Sequence, residues 1–279
     1  MLDNLRWAHV LCGNSEHLSI TVGTSVANKT VSYLPIMFPF LSDERLKEIE
    51  QQCAAIISVR RESYAKYVEY FSISFMLYMP AKAIKDVAEE PNTAQEAAIF
   101  SMLASCEKPF DCKLEELMYT IPCLGKPYYK IKNDATLKNF AAKDFDQSTF
   151  GNTVASMLYT FTIGITGFFA RSTDLLNRTR ILCALELYRR ANGAWPDKLD
   201  SLVPEFLPKL PISELTGKPF EYRHGEIEYS ERHFDFRNGR VICGETVTRT
   251  VDGVMLPASK CNDDYDIDVA ALTPLPEEK

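Results

Sequence analysis

The chain has 279 residues, 46% of them apolar and 25% charged, which excludes a disordered or collagen-like polymer and allows one large domain or two ordinary ones. Its net charge of -7, with no run of clustered Lys and Arg, argues against nucleic acid as a partner. Eight cysteines without a CxxC pair make a zinc knuckle unlike this chain, and the length is wrong for a small disulfide scaffold.

The first stretch, MLDNLRWAHVLCGNSEHLSI, is not a signal peptide, because no uninterrupted apolar core follows a basic start. Any export leader or anchor is expected outside this sequence. Residues 1–145 are predicted to form a helical domain. Leu5, Ala8, His9, Leu11 and Cys12 fall near one helical face, and Gly13-Asn14 ends the run. Ser15 is placed to cap a second helix reaching the Pro35–Pro39 region. Ser42 then opens a long helix as its N-cap, with Asp43 and Glu44 at the positive end of the dipole. Leu46, Ile49, Cys53, Ile56 and Ile57 form its apolar stripe, and Pro80 ends or kinks it. The aromatic series Tyr64, Tyr67, Tyr70, Phe71, Phe75 and Tyr78 on this helix reads as core packing before it reads as a groove. Further helices fit Ala94–Cys106 and Leu114–Tyr119, and 122–134 reads as a loop.

The uncharged run Gln147–Ala170 raises the question of a membrane span. Asn152, five threonines and the glycines at 164 and 167 favour a buried core helix instead. Thr173–Asn192 is predicted as an amphipathic helix burying Leu176, Ile181, Leu185 and Tyr188. Arg189 and Arg190 suit its last turn, and Gly193 suits a left-handed position just beyond it. Asp197 is placed to cap a short helix whose Leu199, Leu202 and Val203 form an apolar edge. Pro204, Pro208 and Pro211 are expected to hold the chain extended until Thr216-Gly217 turns it into a strand at Phe220–Arg223. His224-Gly225, Asn238-Gly239 and Asp252-Gly253 are read as turns of an antiparallel meander. The fold class is thus α+β: an N-terminal all-helical domain, then residues 146–279 as a long helix packed on a small antiparallel meander.

The order helix, Asn-Gly stop, short helix, proline-rich turn and strand resembles the C-terminal half of type II secretion major pseudopilins. It is also similar to pseudopilin-like modules of uncharacterised exported proteins of planctomycete-type bacteria. The matching residues include Ala184, Leu185, Tyr188, Asn192, Gly193, Pro196, Leu202, Pro204, Leu207, Pro211, Gly217, Pro219 and Tyr222. Ser213-Glu214 stands where Asp-Pro is usual, and no prepilin cleavage pattern is present. The resemblance implies a non-enzymatic structural or protein-interaction component of the cell envelope or periplasm, which associates with itself or with another protein. It implies no catalytic residue. A cytoplasmic protein remains the alternative, as does an enzyme or small-molecule binder with its pocket between the helical domain and the sheet. Membrane contact is expected only through a segment outside this sequence.

Candidate chemistry is sparse. Asp263, Asp264, Asp266 and Asp268 in CNDDYDID offer hard oxygen ligands for calcium, and pseudopilins similarly carry an acidic calcium loop near this end. A solvated acidic loop is the plainer alternative. Two disulfides are candidates: Cys106–Cys112 around EKPFD, and Cys243–Cys261, which fall opposite when counted outward from a turn at Asp252-Gly253. Eight free thiols in a reducing compartment is the competing reading. His9, His17, His224 and His233 make no ligand spacing, and no phosphate-cradling or nucleophile-elbow motif occurs. The sequons at Asn28 and Asn177 fall in predicted helices and read as chance matches.

Overall fold

The structure is a computed structural model that describes residues 1–14, 17–78, 126–132, 150–230, 233–235, 240–242 and 248–256. The described chain is predominantly helical with a small antiparallel β part, in keeping with an α+β class.

Helix α1 spans Leu2–Gly13 and buries Leu5, Ala8 and Cys12, spaced one and two turns apart. Asn14 leaves the helix in extended backbone, so the stop falls at the expected Gly13-Asn14. Helix α2, His17–Ser32, returns along α1. The two backbones come close at Gly23, where an added Cβ would lie 2.8 Å from Leu11 Cβ and 2.9 Å from the Ala8 carbonyl oxygen. Leu34–Met37 (α3) and a 3-10 turn at Phe38–Phe40 carry the chain to α4, Asp43–Tyr78. Ser42 caps α4 as its sequence suggests: its hydroxyl accepts from the Arg45 amide at 3.4 Å. The buried stripe Leu46, Ile49, Cys53 and Ile56 follows the predicted spacing, with Ile57 half-buried beside it.

Part of the stretch read as a loop is a five-residue helix, α5, at Tyr128–Lys132, initiated by the Pro127 carbonyl, which accepts from Lys130 and Ile131. Proline at the start of a helix supplies the right φ and lacks only an orphan donor, so a turn signal and a helix start look alike here.

The uncharged run and the segment after it are one helix, α6, Phe150–Asn192. Arg171 and Ser172 separate the two predicted pieces, and a single exposed charge without Gly or Pro does not end a helix. The amphipathic expectation is corrected too. Residues 172–187 are buried nearly all round, including Asp174, Asn177, Arg178, Thr179 and Glu186. α4 and α2 pack against α6, and α1 shares its buried cluster, so it is a central rod and not a one-sided surface helix. Among the described residues, no helix is long and apolar enough to cross a membrane.

The rod stops as predicted. Gly193 has φ +76°, and its amide donates to the Arg189 carbonyl at 2.7 Å, a left-handed cap that a side chain would strain. The short helix after it is a 3-10 turn, Leu199–Leu202, whose N-cap is Lys198 without a side-chain bond, so Asp197 does not cap it. The prolines do not hold the chain extended either: the Phe206 and Leu207 amides both donate to the Leu202 carbonyl, at 2.9 and 3.0 Å, making another tight turn. Strand β1 runs from Arg223 to Ser230 and pairs antiparallel with β4, Thr248–Met255. Between them in the chain, β2 (His233–Asp235) pairs antiparallel with β3 (Arg240–Ile242), and the predicted turn at Asn238-Gly239 lies outside the described residues.

The other two predicted turns lie inside strands. His224 pairs with Val254, and Gly225 stands opposite Gly253, so β1 and β4 run straight through both dipeptides. An Asp-Gly pair permits the turn conformation without imposing it, and an eight-residue ladder outweighs that local preference. The order is therefore one strand pair enclosing another, not a meander. Phe220–Tyr222 precedes the sheet, with Phe220 packed into the core.

A single buried cluster joins Leu5 and Cys12 of α1, Ile49 and Ile56 of α4, Leu176 to Leu187 of α6, Leu202, Leu207, Phe220, and Val254 and Leu256 at the end of β4. The Arg178 guanidinium donates to the Leu256 carbonyl, tying the returning ribbon to the rod. The Tyr222 hydroxyl donates to the Pro196 carbonyl at 2.8 Å.

Candidate functional site

Two adjoining features concentrate polar groups in the interior. The first is a clamp on the 212–219 turn. Asp174 lies on the buried rod and is 5% exposed. Its carboxylate accepts from the Ser213 hydroxyl at 2.5 Å and from the Glu214 amide at 2.6 Å. Burial pushes the Asp174 carboxyl up to about 6, against the opposing pull of those hydrogen bonds. Ser213 in turn accepts from the Leu215 and Thr216 amides, both at 3.2 Å, and the Gly217 amide donates to its carbonyl. α5 braces the turn from outside. The Tyr129 amide donates to the Glu214 carbonyl at 3.0 Å, and the Tyr129 ring lies where a Gly217 side chain would be, 2.7 Å from an added Cβ.

The second is a small cleft, with an interior volume of about 60 Å³, between α4, α5, α6 and that turn. Arg60 forms its inner wall. Its guanidinium donates to the Ser172 hydroxyl (2.6 Å), the Phe169 carbonyl (3.2 Å) and the Thr173 hydroxyl (2.5 Å), and lies 5.5 Å from the Phe169 ring centroid. Ser172 passes the chain on to Asn28 of α2 at 2.6 Å, so one polar network links three helices. Burial pushes Arg60 down to about 10, which leaves it a cation at neutral pH. Arg61 and Lys126 stand at the mouth, with Arg61 paired to the Glu214 carboxylate. The Tyr64 hydroxyl meets Thr166 at 3.4 Å, and burial pushes Tyr64 up to about 12.

Arg60 and Asp174 were not singled out from the sequence, and Ser213 only as a departure from the pseudopilin pattern. A signal for Arg60 existed: it falls on the stripe of Cys53 and Ile56, at their spacing plus one turn, where a cation is out of pattern. The cleft also differs in place from the expected pocket between helices and sheet, because helices and a turn line it.

Asp263, Asp264, Asp266 and Asp268, and the cysteines 106, 112, 243 and 261, lie outside the described residues. The count that set Cys243 opposite Cys261 started from a turn at 252–253, and that dipeptide is inside β4. Among the described residues, no group of three or more His, Cys, Asp or Glu side chains is arranged to hold a metal ion. Cys12, Cys53 and Cys183 are buried free thiols, and burial pushes all three above the usual thiol range, so they make poor nucleophiles. His224 stacks on Tyr222 at 5.5 Å, and His9 is half-buried on α1. Tyr64 and Tyr67 stack at 6.4 Å, and Tyr64 meets Phe169 edge-on at 4.8 Å, which is core packing as expected; the other four rings of that series lie outside the described side chains. Both sequons fall on helices, with Asn28 bonded to Ser172 and Asn177 buried.

Comparison with models of known protein families, with curated proteins and with solved structures finds no match to this chain.

Proposed function

We propose that this chain is a non-catalytic structural or protein-interaction component of the cell envelope, whose C-terminal part, residues 146–279, is a pseudopilin-like module following an all-helical part at 1–145. The observation that carries this reading is the connection leaving α6. A left-handed Gly193 ends the rod, a tight turn and the stapled 213–219 loop redirect the chain, and β4 returns to the rod at Leu256. The departure at Ser213 is physically conservative. An Asp there would accept hydrogen bonds from the amides two and three residues on, and Ser213 does the same with its hydroxyl. An interaction role is further supported by the exposed apolar side chains of α1 and α2: Trp7 is 65% exposed, Val10 60% and Leu18 73%. Calcium held by the acidic residues from Asp263 to Asp268 belongs to the same reading.

The test is cell fractionation of the source organism's full reading frame, combined with a photo-crosslinking amino acid at Val10. Recovery in the envelope fraction with one discrete adduct is expected. Recovery in the cytoplasmic fraction without an adduct would overturn the reading. Calcium is tested apart from it: a melting temperature unmoved by calcium removes the acidic-loop site alone.

A further inference from the structure

We propose that a second copy of this chain docks on the outer face of the α1–α2 hairpin, each copy laying its α1 along the other's α2. The proposal deepens the interaction role given above and rests on it. α1 packs on α4, and α2 on α6 and α4, through Leu5, Ala8 and Cys12 of one helix and Ile20, Ala27 and Val31 of the other. The opposite side carries two exposed stripes. One runs through α1 to its cap as Asp3, Trp7, Val10 and Asn14, and the other along α2 as Leu18, Val22, Ser25 and Lys29. Each stripe is spaced four, three and four, the repeat with which one helix seats on another as knobs into holes. Its apolar members are open to water: Trp7 is 65% exposed, Val10 60%, Leu18 73% and Val22 43%.

The ends of the face select the occupant. α1 and α2 are level where Gly23 meets Ala8, Leu11 and Cys12. Counting outward from there at the rise common to both helices sets Lys29 beside the start of α1, near Asp3, and Leu18 beside its end, near Asn14. One end therefore carries an acidic corner on α1 and a basic corner on α2, with apolar side chains beyond them. A twofold axis parallel to the helices puts α1 of each copy over α2 of the other without a shift along their length. Asp3 then meets Lys29 of the second copy, twice, and Trp7 and Val10 lie over the stripe that holds Val22. Asp3 already accepts from Arg6 at 3.1 Å, through Oδ1. An axis across the helices would set Asp3 against the neutral Asn14 end instead, so charge complementarity favours the parallel axis. Two helices side by side offer a face about 20 Å long and about 20 Å wide, at the low end for a stable interface, which places the dimer in the micromolar range.

Sedimentation equilibrium of the purified full chain at low salt, from about 1 to about 300 μM, is the direct test. A monomer–dimer equilibrium within that range is expected. Val10→Glu should weaken it at least about tenfold while circular dichroism shows the same helical content. Asp3→Lys and Lys29→Asp should each weaken self-association about tenfold, because the twofold axis doubles every like-charge contact. An equimolar mixture of those two variants should associate again, since each offers the charge that the other lacks. A photo-crosslinking residue at Val10 should give an adduct of twice the chain mass from purified protein alone. A monomer throughout the range would overturn the proposal. So would a dimer that Val10→Glu leaves unchanged, or charge variants that stay apart when mixed. A crosslink within one chain would assign the face to another segment of the same chain and overturn it as well. A monomeric chain recovered in the envelope fraction sinks this proposal alone, and a dimeric chain recovered in the cytoplasm sinks the envelope reading alone.

Discussion

At the scale of single residues, three positions are set by contacts that their neighbours cannot relax. Gly23 sits where α2 crosses α1, with Leu11 Cβ, the Ala8 carbonyl and Cys12 Sγ all within 3.0 Å of an added Cβ. Two of those atoms are backbone or next to it and cannot swing away. Gly23→Ala should therefore lose about 1–3 kcal/mol of stability, read from the denaturant midpoint. Gly217 combines φ +70° with the Tyr129 ring at 2.7 Å, so an alanine is strained by its backbone and its neighbour together. Asp174 gives a pH signature. Its folded carboxyl is pushed up from 3.8 to about 6, so the folded state binds its proton more tightly than the unfolded chain does. The stability this provides is complete below about 4 and disappears as pH rises through about 6. Asp174→Asn should flatten the stability curve between those limits, and urea midpoints at a series of pH values would show it. A slope identical to that of the parent would mean that another group causes the pH dependence.

At the scale of elements, the end of α6 is held by a charge arrangement reaching back to the start of α4. The Glu186 carboxylate, its side chain 2% exposed, accepts from Arg189 at 2.9 Å and Arg190 at 2.8 Å. Arg190 also donates to the Phe38 and Leu41 carbonyls, at 2.9 and 2.7 Å, and to Asp43 at 2.8 Å. Those carbonyls flank the 3-10 turn before α4, so one guanidinium joins the end of α6 to the chain that leads into α4. Both arginines keep about a quarter of their surface in water, which moderates the ionic part of the effect. Arg190→Ala should cost about 1–2 kcal/mol, mainly through the Leu41 carbonyl, since the Phe38 carbonyl still accepts from the Leu41 amide. Faster amide exchange at Leu41 and its neighbours would accompany that loss. An exchange pattern unchanged from the parent would show that the link does not hold those ends together.

At the scale of the whole molecule, one buried cluster spans α1, α4, α6, the turns after α6 and the end of β4. Helices before residue 145 and ribbons after residue 223 thus share the side chains that would have to separate first. Leu185, fully buried in the C-terminal part of the rod, is a suitable probe. Leu185→Ala should lose about 2–5 kcal/mol. In a Trp7→Phe background, Trp195 fluorescence and far-UV helicity should fall together in one transition, for the parent and for the variant. Two separated transitions would show instead that the N-terminal helices and the later module fold as independent units.

How much of this was legible depends on the range of the forces involved. The Ser42 cap, the Gly13-Asn14 stop, the stripe of Leu46, Ile49, Cys53 and Ile56, and the left-handed Gly193 were all readable, because each is decided within about one helical turn. Asp252-Gly253 was misread as a turn because its local preference is real, and only pairing with Gly225 and Glu226, far along the chain, overrides it. The merging of two predicted helices into α6, and its burial on all faces, likewise depended on what packs around it. Asp174 and Arg60 look like ordinary charged residues in a list of letters. They become a clamp and the wall of a cleft when α4, α5, α6 and the 213–219 turn are brought together. By itself, then, the sequence determined where α1 ends, where α4 begins and where α6 ends, since caps and stop signals act over a few residues. Tertiary structure alone decided which charges are buried and what faces them, because desolvation and pairing depend on neighbours the chain supplies from more than a hundred residues away.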